Sequence, residues 1–205
     1  MKQDSVINMQ KRARIIKSIL LLIFVIGIIL LFAALIVALF LFFAPEQGFT
    51  AEKGNMDWFI AYNSSNGAAF GIFVPFSIIQ PLNISRFDPK SAFLTYLVSS
   101  AILNIVFLYG LKQVMNILNS IIKKTTPFNI DTVNSLKKIA LSIIIYSVAL
   151  DPIKNLLGSA FVTKIFTFDF SNIHISGVLV AVIVYIIADI FKYGMYLQDE
   201  VDTTL

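Results

Sequence analysis

The chain has 205 residues, of which 58% are hydrophobic and 14% charged, with a formal net charge of +4 and a mean hydropathy of +0.84. A water-soluble domain carries about a quarter charged residues, so this composition belongs to a chain that lives against lipid. The absence of cysteine excludes disulfides, thiolate metal sites and cysteine nucleophiles, and a lone histidine, His174, removes most zinc and general-base chemistry.

Residues 1–17 form a basic tail, with Lys2, Lys11, Arg12, Arg14 and Lys17 against the single acid Asp4. Val6, Ile7, Ile15 and Ile16 are interspersed. The segment reads either as a short amphipathic helix on an anionic leaflet or as a frayed tail that orients the first span. Residues 18–44 contain no charge and predict that span, the first transmembrane helix. At about 1.5 Å per residue they reach roughly 40 Å, more than the roughly 30 Å of a hydrocarbon core. A cleaved signal peptide has an apolar region of only about 7–15 residues, so this stretch reads as a signal anchor. Pro45 and Gly48 close it.

Residues 45–90 change character, to Gly, Pro, Asn and acids, and predict an external loop. Trp58 to Tyr62 and Phe70 to Val74 are short aromatic and β-branched runs separated by the turn chemistry of Asn63 to Gly67, which predicts a small hairpin. Trp58 and Tyr62 are also the residue types that dock at lipid headgroups, and that anchoring role is preferred here to ligand binding.

Residues 91–111 are uncharged and predict helix 2. Leu111, Val114, Met115, Leu118, Ile121 and Ile122 continue it at three-and-four spacing, with Lys112, Gln113, Asn116, Asn119 and Lys123 opposite. Pro127 stops it. Asn129 or Asp131 caps the next helix, so residues 112–138 read as a cytoplasmic helical hairpin turning at Pro127-Phe128. Helix 3 is placed at 139–157. Its uncharged core, Ile139 to Leu150, is too short to span alone. The preferred reading continues through Asp151-Pro152 to Leu157, kinked at Pro152, with Asp151 facing Lys154. The rival ends at Leu150, with Asp151 capping a short surface helix. Residues 158–174 form a second external loop, in which Ile165 to Phe170 alternates as a strand does. Helix 4 occupies 175–192, and residues 193–205 are an acidic tail.

Eleven of the sixteen Lys and Arg fall in the tail, the 112–138 hairpin and Lys192, against five in the two intervening loops. That imbalance places both termini in the cytoplasm. The expected architecture is an all-α integral membrane protein with four transmembrane helices, N-in and C-in, and a small extracytoplasmic β element built from both external loops. The sequons at Asn63 and Asn83 matter only in a glycosylating pathway and are treated as chance matches.

Catalytic chemistry is hard to find. There is no phosphate-cradling loop, nucleophile elbow or paired-ligand metal motif. His174 beside Asp169 lacks a placed nucleophile. Asp151, Lys154 and Asp189 lie near helix ends, and Asp189 is expected to pair with Lys192, Lys137 or Lys138. Ser99, Ser100 and Asn104 read as interhelical hydrogen-bonding groups. No enzyme activity, cofactor or metal is expected, nor direct contact with nucleic acid, because the basic residues do not gather into one soluble patch.

Two stretches resemble a known family. Thr126-Pro127-Phe128, with Val133, Leu136, Lys137, Lys138 and Ile139, is similar to a motif of the bacterial YoaS-like membrane proteins, domain of unknown function 2975. Ile187 to Gly194, followed by Leu197-Gln198-Asp199-Glu200 and Asp202-Thr203-Thr204, resembles that family's C-terminal signature. This chain departs from the pattern at Asn129, where Thr is usual, and at Thr132, where Asn is usual. The resemblance implies no established activity, and implies genes that often neighbour a small helix-turn-helix regulator. It makes Pro127, Phe128, Lys137, Lys138, Asp189, Lys192, Gly194, Asp199 and Glu200 the candidate partner contacts. The basic hairpin (Lys123, Lys124, Lys137, Lys138) and the acidic tail (Asp199, Glu200, Asp202) attract one another, as a structural lock or as a docking surface.

The expectation is therefore a non-enzymatic, multi-pass protein of the bacterial plasma membrane, acting by contact with a cytoplasmic regulator or a membrane protein. The alternatives are an immunity protein against a membrane-active peptide, using the aromatic loops around Trp58–Tyr62 and Phe166–Phe170, or a small transporter or channel subunit relying on Asp151 and Asp189.

Overall fold

A computed structural model describes residues 2–64, 67, 69–76, 87–123, 129–164 and 173–204. In chain order these form α1 (Lys2–Phe43), a 3₁₀ turn (Glu46–Gly48), β1 (Phe49–Lys53), β2 (Asp57–Asn63), β3 (Ala69–Pro75), α2 (Pro89–Ile122), α3 (Ile130–Gly158), a π-helical turn (Ser159–Thr163) and α4 (Ile175–Thr204). Among the described residues four helices are long and apolar enough to cross a membrane: Ile7–Phe43, Pro89–Ile122, Ile130–Thr163 and Ile175–Val201. The protein is thus mostly helical, with four candidate spans and one small sheet. Of the most apolar stretch of α1, only 6% is buried by the rest of the chain. Ile36 and Leu39 are 67% and 63% exposed. Side chains of that kind are covered by hydrocarbon or not at all.

The chain divides into two compact units, one of Met1–Ile29, Ile105–Ser147 and His174–Leu205, the other of Leu30–Asn104 and Val148–Ile173. The second contains the sheet. Its strands form an antiparallel meander in the order β1-β2-β3, with Ala51 opposite Ile60 and Ile60 opposite Ile72. The two runs expected to form a hairpin are β2 and β3. β1 adds a third strand that the sequence pattern does not announce, because Phe-Thr-Ala-Glu-Lys has little apolar alternation and buries only Phe49 fully.

Burial alternates along β2, and Trp58, Ile60 and Tyr62 all point into a core shared with Val74, Leu41, Ala44, Ala92, Phe93 and Val162. The ring of Trp58 stacks on Phe87 with centroids 4.5 Å apart, and that of Phe49 lies 4.7 Å from Tyr62. The headgroup-anchoring role expected of Trp58 and Tyr62 is thereby corrected: at 3% and 4% exposure they are core residues. The expectation fails because this face of the sheet packs on the end of α1 and the start of α2, whose Leu41, Ala44, Ala92 and Phe93 share its core. Phe59 and Phe73 pair on the opposite face, centroids 4.9 Å apart. The alternating stretch 165–170 lies outside the described residues.

Asp88 caps α2, accepting the backbone N–H of Lys90 at 3.0 Å and the hydroxyl of Ser91. Lys90 Nζ in turn donates to the carbonyl of Ala44 at 2.7 Å, satisfying one of the orphan acceptors at the end of α1. α3 passes through Pro152 without ending, in line with the preferred reading, and so excludes a stop at Leu150. It finishes beyond the expected boundary, in the π turn and at Lys164, whose φ of 55° is left-handed. Lys154 lies over the ring of Tyr96, 5.4 Å from its centroid.

Both ends of the chain are helical where a tail was expected. α1 begins at Lys2, so the basic segment is a continuous helical extension of the first span, neither a separate short helix nor a frayed tail. α4 continues to Thr204, through the whole of the expected acidic tail except its last residue. That segment contains no Pro, and Gly194 costs only about 1 kcal/mol against Ala in a helix.

Candidate functional site

Of the residues singled out in the sequence, Lys137 and Asp189 meet in the other unit, between α3 and α4. Asn129 supplies the first turn of α3: its Oδ1 accepts the backbone N–H of Thr132 at 2.8 Å, which settles the capping residue in favour of Asn129 over Asp131. Two turns later Lys137 reaches across to α4. Its Nζ lies 3.2 Å from Oδ1 of Asp189, with the two side chains 33% and 55% exposed. The same ammonium sits 4.8 Å from the ring centroid of Tyr185. An aromatic face and a carboxylate thus hold one cation together.

The geometry of α4 explains the cluster. Tyr185, Asp189, Lys192 and Tyr196 succeed one another at spacings of four, three and four, so they lie on one stripe of the helix. Lys192 Nζ lies 5.9 Å from the ring centroid of Tyr196. Asp199 and Glu200 continue the stripe about 15 Å along the axis from Asp189 and are exposed. Lys137 engages Asp189 on the body of α4, not the acidic residues near its end, where the charge pattern alone would put part of the attraction. Lys138 is exposed, and its carbonyl accepts the hydroxyl of Ser142 at 2.8 Å. Gly194 is half-buried and helical. Pro127 and Phe128 lie outside the described residues.

Sequence reasoning misses Tyr185 and Tyr196. The signal is available in their three-and-four spacing to Asp189 and Lys192, but tyrosine near a helix end reads first as a membrane-interface anchor. At 46% and 55% exposure they present aromatic surface beside the charges.

Close helix packing holds this arrangement. A Cβ built on Gly177 of α4 would collide with Ser147 Oγ of α3 and meet its Cβ at 2.9 Å. The backbone N–H of His174 donates to the carbonyl of Ser147 at 3.2 Å at the same place. Small residues at such a crossing let two membrane helices approach closely. Among the described residues the buried polar atoms Gln10 Nε2 and Thr132 Oγ1 have no hydrogen-bond partner. Among the described residues no group of three or more His, Cys, Asp or Glu is placed to hold a metal ion.

The family described as Protein of unknown function (DUF2975) matches residues 63–205. The chain belongs to this family. The match begins at the last residue of β2 and takes in β3 and α2 through α4, so the whole Lys137–Asp189 cluster is DUF2975 sequence while α1 and β1 precede it. No curated protein and no solved structure matches. As a DUF2975 chain with four apolar helices, this is a four-span membrane protein of a family without an assigned activity.

Proposed function

We propose that this protein works without catalysis, by binding another protein at the α3–α4 cluster from the cytoplasmic face of a bacterial plasma membrane. In this reading both termini are inside, supported by the excess of Lys and Arg in residues 1–17 and 112–138 under the positive-inside rule. The partner is a small helix-turn-helix regulator held at the membrane, with Lys137, Asp189, Lys192, Asp199 and Glu200 as its contacts and Tyr185 and Tyr196 as aromatic anchors.

The observation that carries the reading is the half-exposed Lys137–Asp189 pair flanked by tyrosines. Exposed ion pairs contribute little to folding, so a partner exchanges such a contact for its own at small cost. Tyrosine is also enriched among the residues that dominate protein interfaces. The test is co-purification of the tagged full-length chain with the product of a neighbouring regulator gene. Retention that is lost in Tyr185→Ala with Tyr196→Ala supports the reading; retention unchanged by those substitutions contradicts it.

The Phe59–Phe73 pair supports a second reading, protection against a membrane-active peptide. Phe73 is 61% exposed and Met56 82%, so a peptide arriving at the sheet meets those side chains before the buried Trp58 and Tyr62. Survival under peptide challenge that falls with Phe73→Ser supports this reading, and survival indifferent to that substitution counts against it.

A further inference from the structure

We propose that the cleft between the start of α1 and the end of α2 is a binding site for an anionic phospholipid. It is lined by Asn8, Met9, Arg12 and Ile16 of α1 with Leu118 and Ile121 of α2, and encloses about 460 Å³. The lining is divided chemically. Asn8 and Arg12 offer an amide and a guanidinium; Met9, Ile16, Leu118 and Ile121 offer hydrocarbon.

Depth in the bilayer favours a lipid over a soluble anion. Lys17 is the last charged residue before the uncharged stretch 18–44. About twenty residues span a hydrocarbon core of roughly 30 Å. The span therefore starts near Ser18, and Arg12 lies about 9 Å outside it, within reach of the phosphate layer. Ile16 is at the glycerol level, where the first acyl methylenes begin. Among the described residues Arg12 has no acidic partner, and its neighbours Lys11, Arg14 and Lys17 are cationic as well. A phosphodiester is the group that a guanidinium recognises with paired hydrogen bonds. The lining of the cleft matches the two-part chemistry of a lipid.

The test uses the full-length protein in detergent micelles, with its thermal unfolding midpoint followed as dioleoyl phosphatidylglycerol is titrated in. The expected result is a saturable rise that neither dioleoyl phosphatidylcholine nor sodium phosphate reproduces. Arg12→Gln raises the half-saturating lipid concentration about five-fold, whereas Arg14→Gln, more than half a turn round the helix, leaves it unchanged. Leu118→Trp fills the apolar part of the cleft and weakens binding with every charge in place. An equal response to phosphatidylcholine, or to phosphate alone, overturns the proposal. So does an Arg14→Gln effect as large as that of Arg12→Gln, which would mean general attraction to a basic helix. If Arg12→Gln does not fold, native mass spectrometry of wild type and Leu118→Trp decides: phosphatidylglycerol must be retained over phosphatidylcholine by the first and lost from the second.

Discussion

Lys137 Nζ of α3 lies 3.2 Å from Asp189 Oδ1 of α4, and both side chains keep access to solvent. A contact of this kind orients two helices and offers charge to a visitor, but it does not hold a fold together. Lys137→Gln and Asp189→Asn are therefore expected to leave the thermal midpoint nearly unchanged, singly or together, while partner retention falls. High salt should weaken retention as well, since exposed charges are screened within about 10 Å at 0.1 M. A midpoint that collapses in either neutral variant would make the pair a structural lock instead.

Gly177 is where stability is expected to reside. Gly177→Ala gains about 1 kcal/mol of helix propensity, but overpacking against Ser147 costs about 1–3 kcal/mol. Net destabilisation is the expected sign. Adding Ser147→Gly should recover part of the loss, because it removes the Oγ and Cβ atoms that a new Cβ meets. Denaturant titration of the three variants in micelles checks the coupling.

Two neighbouring polar residues at the start of α3 should respond in opposite ways. Thr132 is 2% exposed and its hydroxyl has no partner among the described residues, and an unsatisfied buried group costs about 1–3 kcal/mol. Thr132→Val keeps the shape and is expected to be neutral or stabilising. Asn129→Ala removes the cap that receives the Thr132 N–H and should cost about 0.5–2 kcal/mol. The same unfolding assay measures both.

Trp58 is the only tryptophan in the chain, so its fluorescence reports on the sheet alone. Buried against Phe87, it should emit at short wavelength, resist iodide and respond little to spin-labelled lipid headgroups. Trp58→Ala should cost about 3–5 kcal/mol, and Phe73→Ser on the exposed face much less. Strong quenching by headgroup labels would return Trp58 to the membrane interface.

The parts of this protein that are legible in sequence are those where one signal has no competitor. Residues 18–44 contain no charge over a length only a spanning helix uses. Asp189 has few cations within reach, and Lys137 is among them. The misreadings come from residues with two suitable environments. Trp58 and Tyr62 fit a headgroup layer as well as a core, and the residues that bury them, Leu41 and Phe93 among them, lie far away in sequence. The acidic residues of 193–205 suggest a tail, although nothing among them breaks a helix. Tyr185 and Tyr196 escape notice because tyrosine near a helix end reads first as a membrane-interface anchor, and Tyr185 meets its cation, Lys137, on another helix.

The account depends on the α3–α4 cluster facing the cell interior and the turn between β1 and β2 facing outward. The chain has no cysteine, so single substitutions report without background. Met56→Cys, at the 82% exposed tip between β1 and β2, and Lys123→Cys, exposed at the end of α2, are treated in whole cells with a membrane-impermeant maleimide. Labelling of the first in intact cells, and of the second only after lysis, is the predicted result; labelling of Lys123→Cys in intact cells would contradict it.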